Sequence, residues 1–229
     1  MNLINKIDEK LEEMGAFFDV RADSYEEVHL GHTGGMEAKD LIASFLPEHT
    51  KSIIDFGIGT GLELKAVFQR FPDIEVTGID LSENMLQLLK ETYPSKKISI
   101  HCMSYMDFDF GNNRYDAAIS VQTMHHYTHD EKISLYKKIH KGIKENGVYV
   151  ENDYVITKEQ HENPQELEDY YFSEYERLKK FQGINDTNVY HYDRPCTIEN
   201  QIKMLKTAGF QNVKEVWQKG SGVILVAEK

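Results

Sequence analysis

Apolar residues along the chain follow two alternating rhythms. Short runs such as Ser52-Ile53-Ile54-Asp55-Phe56 and Val76-Thr77-Gly78-Ile79-Asp80 read as strands, while Met85, Leu86, Leu88 and Leu89 recur at helical spacing. The pattern predicts helices over 3–14 and 36–46, then strand 52–56, helix 61–70, strand 74–79, helix 82–91 and strand 97–102. It continues with strand 115–121, helix 130–145, strand 147–155, helix 197–207 and strands 212–217 and 222–227. Alternating strands and helices need crossover connections, so the expected class is α/β, with a doubly wound, mostly parallel sheet. The last two strands, joined through Lys219-Gly220-Ser221, read as an antiparallel pair. Ser82 is expected to cap the helix it precedes, and Asn146-Gly147 to close the helix over 130–145.

The rhythm also divides the chain. Residues 1–46 read as an N-terminal helical cap, 50–156 as the core, 157–195 as an insertion, and 196–229 as a closing helix and strand pair, all within a single domain. The insertion is rich in Glu, Tyr and Asn and carries Tyr170-Tyr171-Phe172 and Tyr190-His191-Tyr192. Two readings stay open: a lid over the carboxyl ends of the strands, or a helical excursion that packs its aromatics into its own small core.

Candidate chemistry begins where the first core strand ends. Asp55-Phe56-Gly57-Ile58-Gly59-Thr60-Gly61 places three alternate glycines after a strand-end acid, a turn tight enough to bring backbone against a nucleotide. Asp80 ends the next strand, where a carboxylate accepts the hydroxyls of a ribose bound across the first turn. A dinucleotide turn wants G-x-G-x-x-G, but the third glycine falls one residue early and Leu62 stands in its place, which disfavours NAD.

At these residues the chain resembles the class I S-adenosylmethionine-dependent methyltransferases. Arg114-Tyr115-Asp116-Ala117-Ala118-Ile119-Ser120, Met124-His125-His126-Tyr127 and Ala208-Gly209-Phe210 extend the resemblance, which covers about 50–151 well and 197–229 in outline. It implies a Rossmann-like, seven-stranded sheet with an antiparallel last strand, and S-adenosyl-L-methionine as cofactor. It further implies Gly57 and Gly59 against the methionine part, Asp55 at its amino end, Asp80 on the ribose, and Leu81 and Met85 about the adenine. Ile58, Gly61 and Val121 complete the implied set. Where the family usually carries an acid for the adenine amino group, this chain has Ser104. Ser104, the backbone of Tyr105 and Met106, or a shifted Asp107 is expected there instead. The N-terminal segment resembles one that folds over the cofactor, with Tyr25 as cover.

The electrophilic methyl of such a cofactor asks the protein mainly to hold an acceptor in line and exclude water. Where a base is needed, the candidates are His126 and His125 just past strand four, His126 preferred, and His29 near His32. His29-x-x-His32 and His125-His126-x-x-His129 lack the paired ligand sets of a closed zinc site, so no metal is expected.

Whole-chain composition narrows the partners. The 229 residues carry a formal charge of −12, against a nucleic-acid partner, and no stretch is apolar enough to span a bilayer. Lys137, Lys138, Lys141 and Lys144 read as the wet face of a helix. Cys102 and Cys196 lie far apart without metal spacing, and Met1 to Leu11 mixes both charges at helical spacing. A cytoplasmic monomer or homodimer with a small-molecule acceptor is the expectation. Residues Tyr170 to Lys179 and the stretch from Ala208 onward also look somewhat like the carboxy-S-adenosylmethionine synthases, which carboxylate the cofactor and hold the new carboxylate with an arginine. Arg177 or Arg194 is the candidate for that place. A non-catalytic cofactor-binding module is the third reading, and a dehydrogenase the last.

Overall fold

The computed structural model describes residues 10–25 and 35–229. Its frame is a sheet of strands β1 (Ser52–Phe56), β2 (Glu75–Asp80), β3 (Ile98–Cys102), β4 (Tyr115–Val121), β5 (Ile143–Ile156), β6 (Cys196–Thr197), β7 (Gln211–Lys219) and β8 (Gly222–Glu228). The order is β3-β2-β1-β4-β5-β8-β7. β8 runs antiparallel to both β5 and β7, and the neighbouring pairs from β3 through to β5 are parallel. The expected α/β class and antiparallel last strand are present, and the two-residue β6, beside the end of β5, adds an eighth strand.

Seven α-helices lie among the described residues: α1 (Met14–Asp19), α2 (Gly35–Phe45), α3 (Leu64–Arg70), α4 (Glu83–Thr92), α5 (His129–Gly142), α6 (Pro164–Phe181) and α7 (Ile198–Thr207). The apolar runs of the central strands are explained by burial on both faces. Ile53 enters one apolar layer with Ile42, Val67 and Leu89, and its neighbour Ile54 enters the other with Leu135, Ile139 and Leu205. Both isoleucines are fully buried.

Three local expectations are corrected. Of the helix expected over 3–14, residues 3–9 lie outside the described residues, and 10–13 are not helical, because Glu13 pairs instead with Tyr190. The helix expected over 130–145 ends at Gly142. Asn146 does adopt a left-handed φ of 63°, but within β5, where the pairing register with β4 shifts between Tyr115 and Ala117. The left-handed residue makes an irregularity in a strand rather than a helix cap.

Residues 157–195 contain one long helix, α6, with irregular chain on either side. Tyr175, Leu178 and Tyr192 bury themselves with Leu11 in a small satellite core. The segment is tied to the N-terminal chain by Met14 N to Val189 O at 2.8 Å and His191 N to Glu12 O at 2.9 Å. Its last residues thereby reach the carboxyl end of β4, where the crossover reverses direction and open α/β sheets bind ligands.

Candidate active site

The glycine turn is built by three positive φ angles, +71° at Gly57, +51° at Gly59 and +73° at Gly61, with different neighbours at each. A Cβ on Gly57 would sit 2.0 Å from Thr123 Oγ1, and one on Gly61 would sit 2.5 Å from Leu89 Cδ1, so those glycines let the loop after β4 and helix α4 approach the turn. Nothing lies within 4 Å of the corresponding point on Gly59, which faces open space. That open face belongs to a cleft whose floor is Gly57 and Gly59, with Asp80, Leu81 and Met85 on one wall and Val121, Gln122, Thr123 and His126 on the other.

Asp80 is the cleft's fixed anion. Its Oδ2 accepts from Gly59 N at 2.8 Å and its Oδ1 from Ser82 N at 2.9 Å, so β2, the glycine turn and the start of α4 lock one carboxylate. Burial pushes its pKa up, opposed by the amides of Ser82, Gly59 and Leu81. Ser82 also caps α4 as expected, accepting from Met85 N at 3.1 Å. Beneath the turn Asp55, Glu63 and Lys39 are buried together. No donor reaches either oxygen of Asp55 or Oε1 of Glu63. Burial, then the neighbouring Glu63, drives the Asp55 carboxyl far above the usual carboxylate range, and burial also raises Glu63. Burial pushes the Lys39 ammonium down.

α1 roofs the cleft with Met14 and Phe18, and Tyr25 and Tyr105 close its sides. The roof is pinned by Asp19, whose Oδ1 accepts from Ser82 Oγ at 2.6 Å and Asn84 N at 3.1 Å. The remaining cavity is about 50 Å³, so a ligand the size of a nucleoside enters only as α1 and Tyr25 yield. A larger concavity, about 1180 Å³, lies at the opposite, amino end of the strands around Lys51, Glu75 and Lys97. Its size reflects an open sheet edge, whereas the small cleft gathers the fixed carboxylate and the positive-φ glycines.

The expected residues divide accordingly. Tyr25, Gly57, Gly59, Asp80, Leu81, Met85, Tyr105, Val121 and His126 line one cleft. Ile58 turns its side chain into the core, against Gly78. Gly61 serves the packing of α4, and its carbonyl accepts from Tyr93 Oη at 2.9 Å. Ser104 Oγ accepts from Met106 N at 3.2 Å within a turn, the Met106 carbonyl takes Lys138 Nζ at 2.6 Å, and Asp107 is exposed. His29 lies outside the described residues.

His125 and His126 sit in a short 3-10 turn after β4 and are both buried, but they face different partners. His125 Nδ1 lies 2.5 Å from Asp153 Oδ1, and its backbone N donates to Asp153 Oδ2 at 2.9 Å. Burial opposes its charge, yet Asp153 and then Asp193 outweigh it and raise the pKa to about 9. Burial, then the charge on His125, drives His126 well below the usual imidazole range, so it stays neutral. Asp193 is held low: burial opposes, but His125 wins.

Sequence reasoning missed Glu63, Lys39, Gln122, Thr123, Asp153, His191 and Asp193. One signal was available for Asp153. Glu151-Asn152-Asp153 interrupts the apolar strand Val148 to Ile156, and all three are buried, a placement that calls for polar partners inside the fold. Gln122 has a φ of 52°, strained for a side-chain-bearing residue.

Comparison with known proteins agrees with this geometry. The family model described as a methyltransferase domain matches residues 53–147. The carboxy-S-adenosyl-L-methionine synthase of Nautilia profundicola is 24% identical over 199 residues, covering 83% of this chain and 82% of that protein. The phosphoethanolamine N-methyltransferase of Plasmodium falciparum is 22% identical over 79% of this chain and 62% of its own length. Among solved structures, human N-acetylserotonin methyltransferase in complex with S-adenosylmethionine superposes with a TM-score of 0.64 at 15% identity, covering 91% of this chain but 54% of that one. Residues 53–147 thus match a methyltransferase domain, and by sheet order and glycine turn the chain is similar to the class I S-adenosylmethionine-dependent methyltransferases.

Proposed function

We propose that the enzyme transfers the methyl group of S-adenosylmethionine to a small-molecule acceptor held beside His126. The observation that carries this reading is Asp80, a strand-end carboxylate locked by Gly59 N and Ser82 N at the edge of an open-faced glycine. When bound, the sulfonium supplies an electrophilic methyl. Asp80 takes the ribose hydroxyls, Leu81 and Met85 flank the adenine, and Tyr105 and Val121 complete the walls. Gly57 and Gly59 offer backbone to the methionine part, with the Asp55 and Glu63 carboxyls behind them for its amino end. Met14, Phe18 and Tyr25 exclude water from above. His126, neutral and lining the cleft, orients the acceptor and accepts its proton where the acceptor carries one. His125, clamped by Asp153, is a positioning residue.

Carboxylation of the cofactor is the second reading, favoured by the name of the Nautilia relative. It requires a cation for the new carboxylate. Arg177 is spent on the surface in an ion pair with Glu174 at 2.5 Å. Arg194 is buried, with its guanidinium 3.8 Å from the Tyr175 ring centroid and a hydrogen bond to the His126 carbonyl. No lysine or arginine lines the cleft among the described residues, which supports methyl transfer over carboxylation.

Mass spectrometry after incubation with methyl-labelled cofactor and a panel of hydroxyl, amine and thiol acceptors tests the proposal. The expected result is a labelled acceptor with S-adenosylhomocysteine, and a His126→Ala variant whose turnover falls roughly 10²-fold while cofactor affinity holds. A heavier, carboxylated sulfonium extracted from the protein would establish the second reading. Failure of every acceptor in the panel and of cell extract would favour a binding module.

A further inference from the structure

Three imidazoles gather around one carboxylate oxygen at the edge of the cleft. Asp193 Oδ1 lies 3.5 Å from His125 Nε2, 3.6 Å from His126 Nδ1 and 3.7 Å from His191 Nε2. These separations exceed those of good hydrogen bonds, for which nitrogen and oxygen lie about 2.7–3.2 Å apart. Those to His125 and His126 match a different geometry. Ligand atoms about 2.0–2.2 Å from a tetrahedral ion lie about 3.3–3.6 Å from one another.

We propose that His125 Nε2, His126 Nδ1 and Asp193 Oδ1 form a three-ligand site for a divalent transition-metal ion such as Zn²⁺ or Co²⁺, beside the cleft that His126 lines. The three donor atoms all lie within 4.8 Å of one another. His126 is 4% exposed, and its Nδ1 is buried without a hydrogen-bond partner while it faces Asp193. A buried nitrogen left unpaired costs free energy that a metal bond recovers.

The surroundings hold the donors in place. Asp153 grips His125 Nδ1 at 2.5 Å, which leaves Nε2 as the outward donor and matches the carboxylate that commonly orients a metal-bound imidazole. Arg194 N donates to the His125 carbonyl at 2.7 Å, and Tyr154 N holds Asp153 Oδ1 at 2.8 Å, so the backbone fixes both ends of this relay. His191, stacked on Phe17 with ring centroids 3.5 Å apart, brings its Nε2 to 3.7 Å from Asp193 Oδ1. Two imidazoles and one carboxylate favour zinc, cobalt or iron over magnesium or calcium, which prefer all-oxygen sites. Three protein ligands leave a position open, as in catalytic rather than structural sites. The simpler alternative is an ion pair in which charged His125 bridges Asp153 and Asp193 with no metal.

Cobalt titration of the untagged, chelator-treated full chain without cofactor separates the two. The metal site predicts one Co²⁺ per chain, with visible absorption intensified over that of the aqueous ion, displaced by Zn²⁺ but not by Mg²⁺. Asp193 is half-exposed, so Asp193→Ala keeps the fold, and it should weaken Co²⁺ binding at least about ten-fold through loss of one ligand. A spectrum that stays that of the aqueous ion, displacement by Mg²⁺, or full affinity in Asp193→Ala would each overturn the proposal. His126→Gln should likewise lose the bound ion; should that variant fail to fold, the Asp193→Ala result decides.

Discussion

Single residues at the turn carry separable duties, which substitution distinguishes. Alanine at Gly57 meets Thr123 Oγ1 at 2.0 Å and also pays for a left-handed φ, so Gly57→Ala should cost more than about 2 kcal/mol of stability. Alanine at Gly59 meets nothing, so Gly59→Ala should cost about 1–2 kcal/mol for its φ alone, yet project a methyl into the cleft and weaken cofactor binding. Thermal melts compared with calorimetric binding would reveal the split, and equal losses of stability would contradict it. The places of Asp55, Gly57, Gly59 and Asp80 in the fold were legible because each stands at a strand end or in a turn that the sequence spells out. Their supports were not. Thr123 fills the space beside Gly57 from the loop after β4, and Asp193 meets His126 from 67 positions later, contacts that no local spacing announces.

Elements were legible where capping and periodicity agreed. Ser82 caps α4 as read, and β4 runs over Tyr115–Val121 with the expected bounds. The boundary between α5 and β5 was misread because Asn146-Gly147 marks a left-handed backbone in either a cap or a strand irregularity, and only pairing with β4 chooses. α6 is amphipathic enough to be a helix, but its docking depends on residues scattered through the chain. Glu168, buried on α6, lies 2.5 Å from His129 Nε2 and accepts from Thr197 N at 2.6 Å. Cys196 and Glu168 raise His129 to about 9, while burial resists but His129 and Thr197 N lower Glu168. A raised histidine stabilises fully below its unfolded value of about 6.5, and that contribution is lost as pH rises through about 9. A lowered carboxylate stabilises above its unfolded value of about 4.5, and its share is lost as pH falls through the lower folded value. The melting-temperature gap between the wild type and His129→Ala should therefore be widest from about pH 4.5 to 6.5 and close above about 9. A gap independent of pH would show that the pair does not anchor α6.

At the scale of the molecule, the sheet order puts the ends of β1, β2 and β4 side by side, and the N-terminal chain and the 157–195 segment meet above them. The alternation of strands and helices made the sheet readable. The roof was not readable, since α1 has only six residues and is held by Asp19 against α4 and by Val189 from the distant segment. Among the described residues no helix is long and apolar enough to cross a membrane. The aromatic-rich segment does two things at once: Tyr175 and Tyr192 build a satellite core, while His191 and Asp193 extend to the histidines after β4. The proposed methyl transfer rests on a cofactor seated over the glycine turn and gripped by Asp80. Isothermal titration of S-adenosylmethionine into the wild type and Asp80→Ala tests that claim most directly. The account predicts one-site binding to the wild type, weakened more than about ten-fold in the variant by loss of the ribose hydrogen bonds. Equal affinity in the two proteins, or no binding to a folded wild type, would contradict it.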